Sequence, residues 1–177
     1  MPISLIVEDG SVMQNANTYV GIEYADSYLA QRGASEWADK EDDDKAAALI
    51  RASDTLNSFK WNGVTVEPGR IMAWPRKHML FTDKSPVQEN FIPEQIKSAQ
   101  CEIAADILLN GADPLAPVDA SRGAVTSESV DVISIAYATP ETNNYSGATG
   151  YPAVDGLLRP FLSGGEGRFG IVELGRG

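Results

Sequence analysis

The segment from Pro93 to Gly111 constrains the fold more than any other part of the sequence, because its apolar residues recur at helical spacing. Pro93 suits the first helical position, where its missing N–H costs no hydrogen bond, and Asn110-Gly111 suits a helix end. Such a helix has to bury its apolar face, so the sequence predicts a helical core. The apolar face consists of Ile96, Ala99, Ile103, Ala104, Ile107 and Leu108, and the polar face of Gln95, Ser98, Glu102 and Asp106.

Two more helices are predicted before this one and a short one after it. Residues 21–32 place apolar side chains on one face and stop at Gly33. Residues 42–59 begin with three aspartates, which favour a helix N-terminus, and continue with apolar residues at helical spacing. Residues 151–162 predict a short final helix that Pro160 interrupts.

The remaining regular structure is predicted to be β. Residues 124–130 and 132–138 are rich in β-branched side chains and predict a hairpin. Residues 3–7 predict a short strand, and residues 17–20 a second one. The expected fold class is therefore mainly α, within α+β: a small helical bundle with a β-hairpin and an extended C-terminal arm. We assign residues 1–162 to one domain, with a helical core at about 21–111, the hairpin at about 124–138, the last helix at about 151–162 and the arm at 163–177.

The composition limits what the protein can bind. The formal net charge is −11 and the pI is about 4.4, so the chain repels phosphate backbones unless its few cations are clustered. No window of about eighteen apolar residues predicts a membrane span, and the first ten residues lack the features of a secretory signal. Cys101 is the only cysteine, so no intrachain disulfide can form and a reducing cytoplasm is expected.

No motif in the sequence indicates catalysis. His78, the only histidine, has no nucleophile and acid placed beside it and is expected to be a solvated loop residue. Cys101 lies one position off the apolar face of its helix, which predicts a buried thiol. The acidic run 39–44 lacks the spacing of a calcium loop, and the G-x-G-x-x-G match at 165–170 has too few residues after it for a βαβ unit. We therefore expect no enzyme activity, no cofactor and no metal.

One basic and aromatic cluster is a candidate for nucleic-acid binding. Arg70, Arg76 and Lys77 flank Trp74, and single-strand binders combine cationic grooves with stacking aromatic rings. The structural alternative is that Trp74 anchors a packed loop and that Arg76 ties this loop to a carboxylate. Three cations are few against a net charge of −11, which favours the structural alternative.

Eight short motifs follow one another over about residues 5–162. They are LIVEDGS, ANTYVGIEYADSYLAQRG, AALIRASDTLN, FKWNG, AWPR, IPEQIKSAQCEIA, VTSESVDVISIAY and YPAVDGLLRPFL. Each motif is weak by itself, but the ordered set resembles a family of tailed-phage and prophage proteins labelled DnaT-like single-stranded DNA-binding. The tail after Leu162 is not part of the resemblance.

The resemblance implies two alternative functions. Members of the family look like head-to-tail adaptors, or head-completion proteins, which form a ring of about twelve copies beneath the portal. Such a ring extends the DNA channel and receives the tail, in the neck of a virion made in the bacterial cytoplasm. The family label implies instead a replication-associated protein that binds single-stranded DNA.

The negative charge favours the adaptor. An acidic lumen lets double-stranded DNA slide, whereas a single-strand binder depends on cations. The expected partners are then the portal protein, neighbouring copies in the ring, a tail-side stopper or tail terminator, and passing double-stranded DNA.

The tail combines a glycine tether with an apolar segment. Residues 164–167 give reach at low stiffness, and residues 168–174 alternate like a strand. We expect a docking arm that adds this strand to a sheet edge of the portal or of a neighbouring copy, the alternatives being a strand folded onto its own hairpin or an unstructured end. The expected contact residues are Arg168, Phe169, Ile171, Val172 and Leu174.

Overall fold

The computed structural model describes residues 2–112, 125–127, 136–137, 149 and 151–163, and their fold is mainly helical. Within these residues there are five α-helices and two small antiparallel strand pairs, which confirms the predicted class of a helical protein with a hairpin. The helices are α1 (Ile22–Ala30), α2 (Ser35–Ala38), α3 (Asp42–Ser58), α4 (Glu94–Asn110) and α5 (Pro152–Leu158).

Helix α4 lies at the centre of the fold, since it contacts each of the other four helices. Its predicted apolar face is buried apart from Leu108, which is half-buried, and the buried surface is wider than predicted because Gln100 and Cys101 are also buried. The helix ends where Gly111 adopts a left-handed φ of 68°, as its sequence predicts. Pro93 is the N-cap, one residue before the first helical position.

Helices α1 and α3 also match their predictions closely. Three aspartates form the first turn of α3, and Gly33 takes a φ of 78° just after α1. The four-residue α2 was not predicted. Its Trp37 is buried, and the indole Nε1 donates a 2.8 Å hydrogen bond to the carboxylate of Asp26 on α1. The same carboxylate lies 3.2 Å from the ammonium group of the buried Lys45 on α3. The buried lysine is thus neutralised where three helices meet.

The predicted strands near the N-terminus are wrong. Residues 3–7 and 17–20 share one isolated bridge between Val7 and Thr18 instead of forming strands. Two backbone hydrogen bonds join the segments, from Glu8 N to Thr18 O at 2.8 Å and from Asn17 N to Ile6 O at 2.9 Å, and the Asn17 side chain adds bonds with Ile6 N and Ser4 O. Apolar composition alone was therefore not sufficient for a ladder.

The strands that do form are short. β1 (Val64–Thr65) pairs with β2 (Arg76–Lys77), and this pair was not predicted. β3 (Val125–Ser127) pairs with β4 (Ala136–Tyr137) with an irregular register, which confirms the predicted hairpin. The chain divides into two compact units, Met1–Pro114 with Ser146–Gly177 and Leu115–Tyr145, and β3 and β4 belong to the second.

The C-terminal part of the first unit is closed by backbone pairing. Helix α5 ends at Leu158, two residues before Pro160, and Leu162 then bridges to Trp61. The predicted docking arm, with Arg168, Phe169, Ile171, Val172 and Leu174, lies outside the described residues. Among the helices described here, none combines the length and apolar character needed to cross a bilayer.

Candidate functional site

The cations of this acidic chain are concentrated in one part of the fold. Residues 59–87 and 158–163, here called the basic loop region, carry six of the 14 lysines and arginines but only two of the 25 carboxylates. By contrast, residues 22–58, which include α1, α2 and α3, carry nine carboxylates and four cations. The chain therefore satisfies the condition under which a negative net charge does not prevent contact with phosphate.

Backbone hydrogen bonds join the two segments of the basic loop region. Ser163 N donates to Lys60 O at 2.8 Å, and Asn62 N donates to Phe161 O at the same distance. The Asn62 side chain adds a 3.1 Å bond from Nδ2 to Leu162 O. The turn after α5 is thus part of the same structure as the loop before β1.

A chain of aromatic rings anchors these loops to the core. Phe59 and Trp61 have centroids 6.1 Å apart, and Trp61 and Trp74 meet edge to face at 5.6 Å. Phe161 then contacts Trp74 at 5.4 Å and Phe81 at 6.0 Å, again edge to face. Because edge-to-face contacts fix both distance and tilt, the loops have a defined geometry without helices.

Trp74 is a packing residue in this structure. Its exposed fraction is 0%, so neither face of the ring is open to a base, and the predicted stacking role does not fit this position. The prediction of a packed loop anchor fits. The indole Nε1 is buried with no hydrogen-bond partner among the described residues.

Arg76 is also committed to the fold. Its guanidinium donates to three carbonyl oxygens: to Asn62 at 2.7 Å, to Gly63 at 2.9 Å and to Ala73 at 3.0 Å. The expected carboxylate partner is replaced by these backbone carbonyls. Burial lowers the pKa of Arg76, although an arginine remains charged at neutral pH. The residue therefore adds positive potential from beneath the loop instead of contacting a ligand.

Arg70 and Lys77 have partners of their own. Arg70 pairs with the fully buried Glu8, whose carboxylate also accepts bonds from Gly10 N and Val12 N at 2.9 and 3.0 Å. Lys77, on the outward face of β2, lies 3.8 Å from Glu89 and is partly exposed. Of the predicted patch, Lys77 is thus the residue best placed to contact a ligand.

The sequence analysis missed three other cations of the basic loop region. Lys60, Lys84 and Arg159 are exposed, and none of them forms an ion pair within the part of the chain that the structure describes. The backbone hydrogen bonds described above place the segment with Lys60 beside the turn that follows Arg159. Counting the charged residues of each segment would have indicated Lys60 and Lys84 from the sequence. Arg159 is distant from them in the chain, so only the folded structure shows that it belongs to the same region.

A second surface carries aromatic rings and cations, on α1 and α4. Tyr24 and Tyr28 are stacked with centroids 6.4 Å apart. The guanidinium of Arg32 lies 3.4 Å from the centroid of Tyr28, and Lys97 Nζ lies 5.9 Å from that of Tyr24. This arrangement has the residue types of a base-stacking surface.

Carboxylates neutralise that second surface. Lys97 pairs with Glu94 at 2.8 Å, and Arg32 lies 3.6 Å from Glu102. Hydrogen bonds from Lys97 and Tyr24 lower the pKa of Glu94, so this carboxylate stays charged. Because each cation faces an anion, the surface offers a phosphate less attraction than the basic loop region does.

The residues considered for catalysis have ordinary surroundings. His78 is exposed with a φ of 60°, and Cys101 is buried, which raises the pKa of its thiol to about 12. The run 39–44 leads into the first turn of α3. Among the described residues, no three or more His, Cys, Asp or Glu side chains come together as a metal site would require. That the protein is not an enzyme stays a prediction.

Comparison with known proteins adds one match. A family model described as "Putative DnaT-like ssDNA binding protein" matches residues 3–177. No curated protein and no solved structure matches the chain.

This match corrects the predicted function. The prediction of a head-to-tail adaptor in a virion neck is wrong, because the matched family is described by single-stranded DNA binding and no comparison supports a portal, ring or tail role. The argument from charge failed because it used the net charge of the chain, whereas the cations are segregated into the basic loop region.

Proposed function

The chain belongs to the family of DnaT-like single-stranded DNA binding proteins, and on that premise we propose that it binds single-stranded DNA through the basic loop region. The protein then acts by binding, in association with DNA replication, and not by catalysis. The observation that carries the proposal is the set of three exposed cations, Lys60, Lys84 and Arg159, which form no ion pair with any described residue and lie in a region that holds few carboxylates.

The cations of the region fall into a structural group and an exposed group, and this difference supports the proposal. Buried Arg76 and the paired Arg70 shape the loops, while the exposed cations are free to meet phosphates. Binding of single strands depends largely on counterion release, so a few well-placed cations produce a measurable affinity and a strong salt dependence. At physiological salt the Debye length is about 8 Å, so carboxylates farther than this from a phosphate on these loops repel it only weakly.

The test compares charge reversals inside and outside the basic loop region. Binding of a fluorescent oligo(dT) is measured by anisotropy from low to moderate salt. We expect Lys60→Glu with Lys84→Glu to lower the affinity at low salt by about tenfold or more, and to make the salt slope shallower by roughly 1 to 2, near 0.7 for each phosphate contact.

Lys40→Glu is the control for each single reversal, Lys60→Glu and Lys84→Glu, because Lys40 is also an exposed lysine outside the helices but lies in the acidic run. We expect its effect to be small by comparison. The proposal fails if the unaltered protein does not bind oligo(dT) at low salt, or if Lys40→Glu weakens binding as much as each of those single reversals does.

A further inference from the structure

Residues 79–87 form a small closed loop within the basic loop region, here called the finger. Val87 N donates to Met79 O at 2.9 Å, and Leu80 bridges to Pro86. Nearer the tip, Phe81 N donates to Ser85 O and Lys84 N to Phe81 O, both at 2.9 Å. The base of the finger is fixed in the core, because Met79 and Val87 are buried.

The tip of the finger is held in one conformation. Asp83 accepts hydrogen bonds from the backbone N and the hydroxyl of Ser85, at 2.9 and 2.5 Å, which lower the pKa of its carboxyl. Lys84, the last residue of the turn that begins at Phe81, takes a left-handed φ of 65°. Residues 82–86 are all exposed, so a structured tip extends beyond the core.

Two apolar side chains accompany this tip. Leu80 is 50% exposed, whereas the preceding Met79 is buried. Phe81 is partly exposed and rests edge to face on Phe161, with centroids 6.0 Å apart. Phe161 is itself fully buried, so one side of Phe81 packs against a ring that the core holds in place.

We propose that the finger supplies the base contacts of this protein, with Phe81 stacking on an unpaired base and Leu80 adding apolar contact beside it. The ligand class is single-stranded DNA with little sequence preference, since every base has a π face. This inference rests on the proposed function. It assigns to the finger the contact with bases, which the cations do not make because they contact phosphates.

The residues around Phe81 suit that task. Lys84 is three residues away in the same turn and is exposed, so a base on Phe81 would bring its phosphate toward this ammonium group. In duplex DNA the base faces are covered by their neighbours, and stacking on a protein ring would require unstacking first. The finger therefore favours single strands over duplexes, whereas the cations attract both.

The experiment separates ring stacking from charge. We compare Phe81→Leu, which keeps an apolar side chain on Phe161 but removes the π face, with Phe81→Trp, which keeps one. Binding is measured against oligo(dT) and against a duplex of equal length, and 2-aminopurine in a mixed-sequence single strand reports base stacking. Near-UV circular dichroism first checks that each variant is folded.

We expect Phe81→Leu to weaken single-strand binding about tenfold, which corresponds to the loss of one base–aromatic contact, and to leave duplex binding unchanged. Phe81→Trp should bind single strands at least as well as the parent does. Leu80→Ala, which does not disturb the ring on Phe161, should give a smaller loss of the same kind. The 2-aminopurine signal should change on binding to the parent and much less with Phe81→Leu.

Ile71→Ala is the matched control, because it removes an 81% exposed apolar side chain from the basic loop region outside the finger. If the parent binds single strands but Phe81→Leu binds them equally well, or if Ile71→Ala causes the same loss, the inference is overturned and the proposed function stands. If the parent does not bind oligo(dT) at all, both are overturned.

Discussion

Gly63 shows how closely the loops of the basic loop region are packed. Its φ is 64°, and a Cβ at this position would overlap the carbonyl oxygen of Lys77 and lie 2.8 Å from Met79 Sδ. The carbonyl oxygen of Gly63 also accepts a bond from Arg76. The position therefore requires glycine for two reasons, backbone conformation and lack of space.

The two reasons can be separated by comparing two substitutions. Gly69 has a similar φ of 82°, but its Cβ would meet nothing within 4 Å. We expect Gly69→Ala to lower the free energy of unfolding by about 1 kcal/mol, the cost of a left-handed alanine. Gly63→Ala should cost about 3 kcal/mol, since it adds a clash that displaces β2. Urea denaturation measures both, and equal losses would show that the close approach to Lys77 has no energetic weight.

For individual residues, the sequence predicted whether a side chain is buried or exposed better than it predicted which residues that side chain contacts. Cys101 was expected to be buried and His78 to be exposed, because hydropathy and loop signals are local. The surroundings of Trp74 and Arg76 depend on Phe161 and on carbonyls of residues 62, 63 and 73. Contacts with residues as distant in the chain as Phe161 leave no local pattern, so no spacing rule could have predicted them.

Helix α4 contains a polar residue at the centre of the core. Gln100 is fully buried, and its Oε1 accepts a bond from Tyr19 N at 2.9 Å. Its Nε2 donates to Thr18 Oγ1 at 2.7 Å and to Leu49 O at 2.8 Å. One side chain thus joins α4 to the N-terminal segment and to α3, provides the acceptor for the backbone N of Tyr19, and gives the carbonyl of Leu49 a second donor besides its helical one.

Replacing Gln100 should therefore destabilise the protein even though leucine is apolar. We expect Gln100→Leu to lower the free energy of unfolding by about 3 kcal/mol, because the buried Tyr19 N loses its acceptor and Thr18 Oγ1 loses a donor. Gln95→Leu on the same helix is the control and should change stability by about 0.5 kcal/mol or less. Thermal unfolding compares them, and a Gln100→Leu variant as stable as the control would contradict this role.

The helices were predictable at the scale of elements and the short strands were not. Three apolar faces and their terminal signals lie within continuous stretches, so α1, α3 and α4 could be located from periodicity. The pair of β1 and β2 has two residues in each strand and is flanked by the bonds of Arg76 to residues 62 and 63. Such a pair exists because of tertiary contacts, and its residues carry no strand pattern of their own.

The whole molecule has a charge distribution that its net charge conceals. Residues 22–58 are acidic and the basic loop region is cationic. If DNA binds to the basic loop region, the carboxylates of residues 22–58 should not contact it. They should oppose binding only through long-range electrostatic repulsion of the phosphates. That repulsion should be strongest when the Debye length is long, about 30 Å at 10 mM salt, and should weaken as the salt concentration rises.

Neutralising part of the acidic run tests this prediction. We expect Asp42→Asn with Asp44→Asn to raise the affinity for oligo(dT) about two- to threefold near 10 mM salt and not at all near 300 mM. The control pair, Asp42→Glu with Asp44→Glu, preserves the charge and should bind like the parent. An equal gain at both salt concentrations would indicate a local contact with DNA in place of a long-range field.

The burial of Cys101 has a practical consequence for optical studies. The chain contains one thiol, and burial keeps it protonated and away from solvent at neutral pH. A cysteine introduced on the exposed tip, for example Thr82→Cys, would be the one that a maleimide dye reaches. A fluorophore could thus be attached to the finger without first replacing the native cysteine, and its emission would follow the tip directly as an oligonucleotide is added.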